Sequence, residues 1–344
     1  MVAVSRQSTS AFLDDLAARV VRGAVATRAD LLAVLRAPDD ILPDVLRAAY
    51  RVRERSWGRG VKLCMLRNAR SGLCPEDCHY CSQSTISTAP IRKYSLQSVP
   101  QLVDGARQAV ARGARRYCMV TSGRGPSDRD ITQLSEASRL IAREFPHLEI
   151  CVSLGLMSEE QGRALRAAGV GWVNHNLNTS ERFYPEICST HTYQDRVTTL
   201  GNVRRAGLHT CCGAIVGMGE TDDDLVDVAL ALRELRVDSL PVNFLHPIEG
   251  TPLAGRRDLT PARCLKALCL FRFANPTAEV RVAGGRERNL GWFQALALYP
   301  ANSIFVEGYL TTPGQAASAA HRMVEEMGFE VENGVDLERA AQPA

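Results

Sequence analysis

Three cysteines carry the most specific chemistry in this chain. Cys74, Cys78 and Cys81 lie in Ser71-Gly72-Leu73-Cys74-Pro75-Glu76-Asp77-Cys78-His79-Tyr80-Cys81, a C-x3-C-x2-C spacing within a loop. Three thiolates in so short a segment can converge on one metal centre. A structural zinc asks for four ligands, usually as paired C-x2-C knuckles, and no second knuckle follows. An electron-transfer iron–sulfur cluster also asks for four cysteines. Three point instead to a 4Fe–4S cluster with one iron left open to bind something else. Packed loop thiols or an adventitious zinc site are the alternative.

The remaining cysteines pose a second question. The total is 11, an odd number in a chain of 344 residues, and the start of the sequence has no export signal. A disulfide framework is therefore not expected. Cys118, Cys151 and Cys211 fall in three different strand candidates, Arg-Tyr-Cys-Met-Val, Glu-Ile-Cys-Val-Ser and His-Thr-Cys-Cys-Gly. Side chains alternate along a strand, so all three could face one interior, with Arg281 of a later strand joining them. A buried guanidinium there would need an acidic or cluster partner to offset its desolvation. On the residues alone the plainer reading, three small core residues, is the stronger one. Cys64, Cys188, Cys212, Cys264 and Cys269 are expected to be packing residues. Cys212 follows Cys211 and so should point to the opposite face, toward helices.

Polar residues add a third feature. Asn174, Asn176 and Asn178 recur at period two at a strand end, so all three can point the same way. His175, between two of them, is expected to be packed between strand and helix. Gly213 to Glu220 is punctuated by glycine like a phosphate loop but lacks the Lys-Ser/Thr of one.

These residues need a frame. Short apolar runs alternate with amphipathic stretches at Val61–Leu66, Arg116–Thr121, Leu148–Leu154, Val170–Asn176, Leu208–Val216, Ser239–Leu245, Glu279–Gly284 and Ser303–Glu307. Nearly all are followed by a helical pattern, such as Leu225, Val228, Ala229 and Leu232. Eight such units predict a closed α/β architecture, a (β/α)8 TIM-type barrel, and no G-x-G-x-x-G joins the first strand to a helix as an open sheet would want. The first sixty residues read as helices, with Thr27 and Asp30 forming a capping box. The expected organisation is a helical extension (1–60), one barrel (61–330) and a short tail (331–344). The chain is 45% hydrophobic and 23% charged, which excludes a disordered class. Its net charge of +3 offers no electrostatic footprint for nucleic acid. No apolar run is long enough to span a membrane, and a cytoplasmic location is the expectation.

The cysteine loop resembles the signature of the radical S-adenosylmethionine enzymes. The stretch from about Val61 to Gly328 is similar, more narrowly, to the biotin synthase family. Asn174-His175-Asn176-Leu177, Thr190-His191-Thr192-Tyr193, Gly213 to Glu220, Asn243-Phe244-Leu245, Gly284-Gly285-Arg286-Glu287 and Ala301-Asn302-Ser303-Ile304-Phe305 carry that resemblance. It implies sulfur insertion into dethiobiotin to give biotin, with the 4Fe–4S cluster on Cys74, Cys78 and Cys81. It also implies a 2Fe–2S cluster on Cys118, Cys151, Cys211 and Arg281, consumed as the sulfur donor. S-adenosylmethionine would contact Tyr80, Asn176, Asn178 and Ile215, with Arg196 on its carboxylate and the segment Ser122 to Pro126 near its amino group. Asn174 and Asn243 would hold the ureido ring of dethiobiotin. Two positions depart from the common family pattern: Asn178 stands where many members have Asp, and Val173 where they have Tyr. A flavodoxin or ferredoxin electron donor and a homodimer complete what the resemblance implies.

Overall fold

The computed structural model describes residues 6–332; residues 333–344, most of the expected tail, lie outside the described residues. Three helices come first: α1 (Arg6–Val21), α2 (Arg28–Leu35) and α3 (Leu42–Trp57). The Thr27–Asp30 capping box is formed, and α3 stops at Gly58, whose φ of 51° would strain a residue with a side chain. The barrel then alternates β1 (Gly60–Arg70), α4 (Val99–Ala111), β2 (Arg116–Thr121), α5 (Asp128–Glu144), β3 (Glu149–Ser153), α6 (Glu159–Ala167), β4 (Trp172–Asn174) and α7 (Tyr193–Arg205). It continues with β5 (His209–Cys211), β6 (Ala214–Val216), α8 (Asp222–Glu234), β7 (Ser239–Phe244), α9 (Pro261–Ala274), β8 (Glu279–Val282), α10 (Arg286–Leu290) and β9 (Ser303–Phe305). A small hairpin, β10 (Gly308–Tyr309) with β11 (Thr312–Pro313), precedes α11 (Ala317–Glu326) and β12 (Glu330–Val331).

All barrel pairings are parallel, and β9 returns to pair with β1, so the sheet closes. Closure satisfies both edges of every strand, which an open sheet cannot do. Each strand predicted from the sequence is present. The fifth is broken, however: β5 and β6 form one stave interrupted at Cys212-Gly213, and both halves pair with β7. The reason is a close backbone approach. A Cβ built on Gly213 would stand 1.8 Å from the carbonyl oxygen of Pro241. The expected tail boundary also shifts, because Val331 pairs with Val61 of β1.

Helix starts follow from short local signals. Each of α5 to α8 opens with a reciprocal capping box, from Ser127–Asp130 through Thr221–Asp224. The N-terminal helices pack on one side of the barrel, α3 against α9 and α2 against α8 and α9. Leu31, Val34 and Leu35 of α2 are fully buried there, each contributing roughly 1.5–3 kcal/mol. The exposed pairs Arg28–Asp223 and Arg36–Asp222 add at most about 1 kcal/mol apiece. Arg53 of α3 is buried beneath this contact, donating to the carbonyls of Ala301 and Gly60 with its guanidinium over Phe329. No described helix is long and apolar enough to cross a membrane.

The contact at Gly213 makes a stability prediction. Gly213→Ala should cost about 1–3 kcal/mol, read as a lower urea midpoint for the cluster-free chain. An unchanged midpoint would show that the broken stave does not depend on this approach.

Candidate active site

Loops at the C-terminal ends of the strands and the strands themselves enclose one cavity of about 270 Å³. Its wall contains the three loop cysteines, the three strand cysteines, Arg281 and the asparagines. The residues singled out from the sequence are therefore brought together.

Within the staves, Cys118 and Cys151 are register partners across β2 and β3, their sulfurs 3.3 Å apart. Cys211 lies opposite, with its sulfur 3.5 Å from Nη1 of Arg281. These are two pairs of donors. One metal ion would need its ligand atoms within one tight shell; among the described residues the strand cysteines form no such group. A 2Fe–2S rhomb, by contrast, takes two ligands on each iron, and the pairs Cys118/Cys151 and Cys211/Arg281 fit it.

Arg281 is fixed from behind. Its Nε donates to Ser303 Oγ at 3.0 Å, its Nη2 donates to Ser239 Oγ at 3.1 Å, and it pairs with Glu279. Glu279 also binds Arg116 at 3.0 Å and Lys62 at 3.4 Å, while Arg116 stacks over Trp172. Burial pushes the Glu279 carboxyl up, but Arg116, Arg281 and Lys62 outweigh it and hold the group well below the usual carboxylate range. This network was not foreseen, although the acid needed beside a buried Arg281 was.

Two cysteines expected to be packing residues also have polar neighbours. Cys64 lines the cavity, 3.5 Å from Ser303 Oγ, because Leu63 and Met65 turn outward into the core and alternation sends Cys64 and Leu66 inward. Period two along β1 was the signal that could have found it. Cys188 lies in a loop as expected, yet its sulfur is 3.8 Å from that of Cys78 and 2.6 Å from Nδ1 of His191. The C-x2-H spacing of Cys188 and His191 was a local signal, but no local pattern could have joined them to Cys78. Cys212, Cys264 and Cys269 do pack in the apolar core, and burial raises each thiol.

The loop bearing Cys74, Cys78 and Cys81 has no regular secondary structure, so side chains and turns hold it. Asp77 accepts from the backbone N–H groups of Ser189 and Thr190, His79 donates to the Ile187 carbonyl, and Gln83 accepts from Gly72 N–H. Nearby backbone N–H groups of Glu76 and Gly123 favour the ionised Cys74 sulfur, and those of Gln83 and Ser84 the ionised Cys81 sulfur. Burial nonetheless pushes Cys81 to about 11, so a cationic centre is needed to hold these thiols as thiolates. The three-thiol donor set and these amide donors fit a 4Fe–4S cluster with an open iron.

The polar wall matches the sequence reading in membership more than in mechanism. Asn174, Asn176 and Asn178 all line the cavity, but β4 ends at Asn174 and Asn178 has a φ of 71°. A left-handed turn, not strand alternation, aims Asn178; its amide donates to the Tyr80 hydroxyl at 2.7 Å. Asn174 donates to Asn176 Oδ1 at 3.1 Å and lies 3.3 Å from the Cys211 sulfur. Asn243 donates to the Ala214 carbonyl and accepts from Gly284 N–H, stitching three strands together. Arg196 is buried on α7, donating to the Asn176 carbonyl at 2.9 Å and to His191 Nε2 at 2.7 Å. His175 is buried, and burial drives its imidazole well below its ordinary value. The glycine-rich loop holds no free amide cradle, because Glu220 accepts from the N–H groups of Gly217, Met218 and Gly219. Ser122, Gly123 and Arg124 border the loop cysteines in the same wall.

Comparison with known proteins adds to this geometry. Residues 70–232 match the Radical SAM superfamily model, and residues 241–330 the Biotin and Thiamin Synthesis associated domain. The chain is 50% identical over 324 residues to the biotin synthase of Rhodopirellula baltica, covering 94% of this chain and 90% of that one. It is 52% identical over 332 residues to biotin synthase 2 of Frankia casuarinae, covering 96% and 92%. Among solved structures, methylornithine synthase superposes with a TM-score of 0.81 at 20% identity, covering 94% of this chain and 99% of that one. The FeFe-hydrogenase maturase of Carboxydothermus hydrogenoformans superposes at 0.79 and 15% identity, covering 97% and 82%. Those two share the fold.

The charge network predicts a pH-dependent stability effect. Glu279→Gln leaves buried Arg281 without its acid, while Arg116 and Lys62 keep Glu149 at 2.6 and 2.9 Å, and should cost about 3–5 kcal/mol at pH 7 in urea unfolding. Because the native carboxyl titrates below its unfolded value, its contribution is complete above about pH 4.3 and fades as pH falls. The gap between variant and wild type should narrow in acid. Equal stability at pH 7 would remove Glu279 from this role.

Proposed function

The chain belongs to the biotin synthase family of radical S-adenosylmethionine enzymes, and from that premise we propose how its own residues divide the conversion of dethiobiotin to biotin. The cofactors are a 4Fe–4S cluster, S-adenosylmethionine and a 2Fe–2S cluster; when bound they supply hydrogen-atom abstraction from unactivated C–H bonds and the sulfur atom.

Cys74, Cys78 and Cys81 hold the first cluster. Tyr80, Asn176, Asn178 and Ile215 hold the nucleoside of S-adenosylmethionine, and Arg196 its carboxylate. Cys118, Cys151, Cys211 and Arg281 hold the second cluster, and Asn174 and Asn243 orient the ureido ring. Carboxamides suit both neutral ligands, since each offers donors and acceptors. Asn178 in place of an acid keeps a carbonyl acceptor for a ribose hydroxyl. The observation that carries the reading is Asn174: its amide lies 3.3 Å from the Cys211 sulfur and 3.1 Å from Asn176. The same side chain thus touches a ligand of the sulfur-donating centre and the residue row assigned to the nucleoside. Substrate held there would lie between the residues that would hold the two centres.

The working unit is the barrel of residues 61–330, with residues 1–60 as its helical cover. Reduction by a flavodoxin or ferredoxin, a homodimeric state and a cytoplasmic location belong to the same proposal.

Anaerobic reconstitution should load about six irons per wild-type chain and about four in a Cys118→Ser/Cys151→Ser variant. Cys74→Ser should abolish 5′-deoxyadenosine formation, whereas Asn174→Ala should leave that product while lowering biotin at least about tenfold by mass spectrometry. Wild-type protein that forms 5′-deoxyadenosine but never biotin would overturn the substrate assignment.

A further inference from the structure

Cys188 has no part in the division of labour above; it packs in a small apolar cluster with Tyr184 and Ile187, yet its sulfur also meets polar groups. Cys264 and Cys269 lie in the apolar core. The sulfur of Cys188 lies instead 2.6 Å from His191 Nδ1, 3.2 Å from Asp77 Oδ1 and 3.6 Å from Thr190 Oγ1. The tautomer of His191 is set from its far side. Arg196 donates to Nε2 at 2.7 Å, and a guanidinium cannot accept. The imidazole proton therefore sits on Nδ1 and is directed at the Cys188 sulfur, which holds that side chain in place. The sulfur of Cys78 is 3.8 Å away. Cys78 lines the open cavity and Cys188 lies behind it. One thiol is reachable and the other is poised to resolve what happens to it.

We propose that Cys78 and Cys188 form a modification site, a reversible disulfide made in the cluster-free chain by exchange with a small disulfide of the glutathione class. Cys78 attacks the glutathione disulfide, forming a mixed disulfide and releasing one glutathione thiol. Cys188 then attacks the Cys78 sulfur, forming the Cys78–Cys188 bond and releasing the second. Two protein thiols are oxidised, one glutathione disulfide is reduced to two thiols, and the two protons leave with them. The sulfurs must close from 3.8 Å to a bond of about 2.0 Å, within the reach of side-chain rotation in an irregular loop. The exchange needs only these two thiols. Its consequence rests on the function proposed above: with Cys78 tied up, the loop cannot take its cluster, and the thiol is spared irreversible oxidation.

The full-length Cys74→Ser/Cys81→Ser chain, free of metal, isolates the pair from its loop neighbours. Incubation with oxidised glutathione, alkylation and peptide mapping should show a Cys78–Cys188 link that dithiothreitol reverses. Adding Cys188→Ser should leave Cys78 as a stable glutathione mixed disulfide. A mixed disulfide that persists on Cys78 beside an intact Cys188, a link from Cys188 to another cysteine, or two unmodified thiols would each overturn the proposal. In wild-type protein, cluster loading should slow the link at least about tenfold. Equal rates with and without the cluster would overturn Cys78 as a ligand while leaving the disulfide standing.

Discussion

One buried carboxylate organises the interior of this barrel. Glu279 is buried and faces Arg116, Arg281 and Lys62. Such a charge is tolerable only because its partners converge on it; Arg281 has no other acid among the described residues, while Arg116 and Lys62 also lean on Glu149. The arrangement leaves Arg281 with one nitrogen turned toward Cys211 and the others consumed by Glu279, Ser239 and Ser303. A flexible cation thereby becomes a fixed donor. The apolar shell around the strands, the closed ladder and the N-terminal helices all serve to keep that network dry.

A second constraint operates at the mouth. The cysteine loop has little secondary structure to define it, so its shape is borrowed from the segment after Ile187. Asp77 caps the backbone of Ser189 and Thr190, and Arg124 reaches both Glu76 and the Thr190 carbonyl. The same segment leads into α7 and to Arg196. The site assigned to the first cluster and the site assigned to the S-adenosylmethionine carboxylate are thus mechanically one piece.

Much of this was legible in the sequence because it depends on local periodicity. Strand order, the capping boxes and the inward direction of Cys118, Cys151, Cys211 and Arg281 all follow from repeats of two or from four-residue signals. What escaped has a common cause. The break at Gly213 depends on the carbonyl of Pro241, on a neighbouring strand. Asn178 reached its expected place by a left-handed turn that period two does not encode. Cys188 meets Cys78 through a loop-to-loop clamp. Cys64 is the exception, since alternation along β1 contained the answer and its small apolar character obscured it.

The Glu220 loop shows how a glycine-punctuated turn can be closed to anions from within. Successive backbone amides at Gly217, Met218 and Gly219 form the kind of nest that elsewhere grips a phosphate. Here the chain supplies its own anion and closes the nest permanently. A phosphate meeting this turn would find its three donors already taken, so the glycine spacing by itself marks no phosphate site.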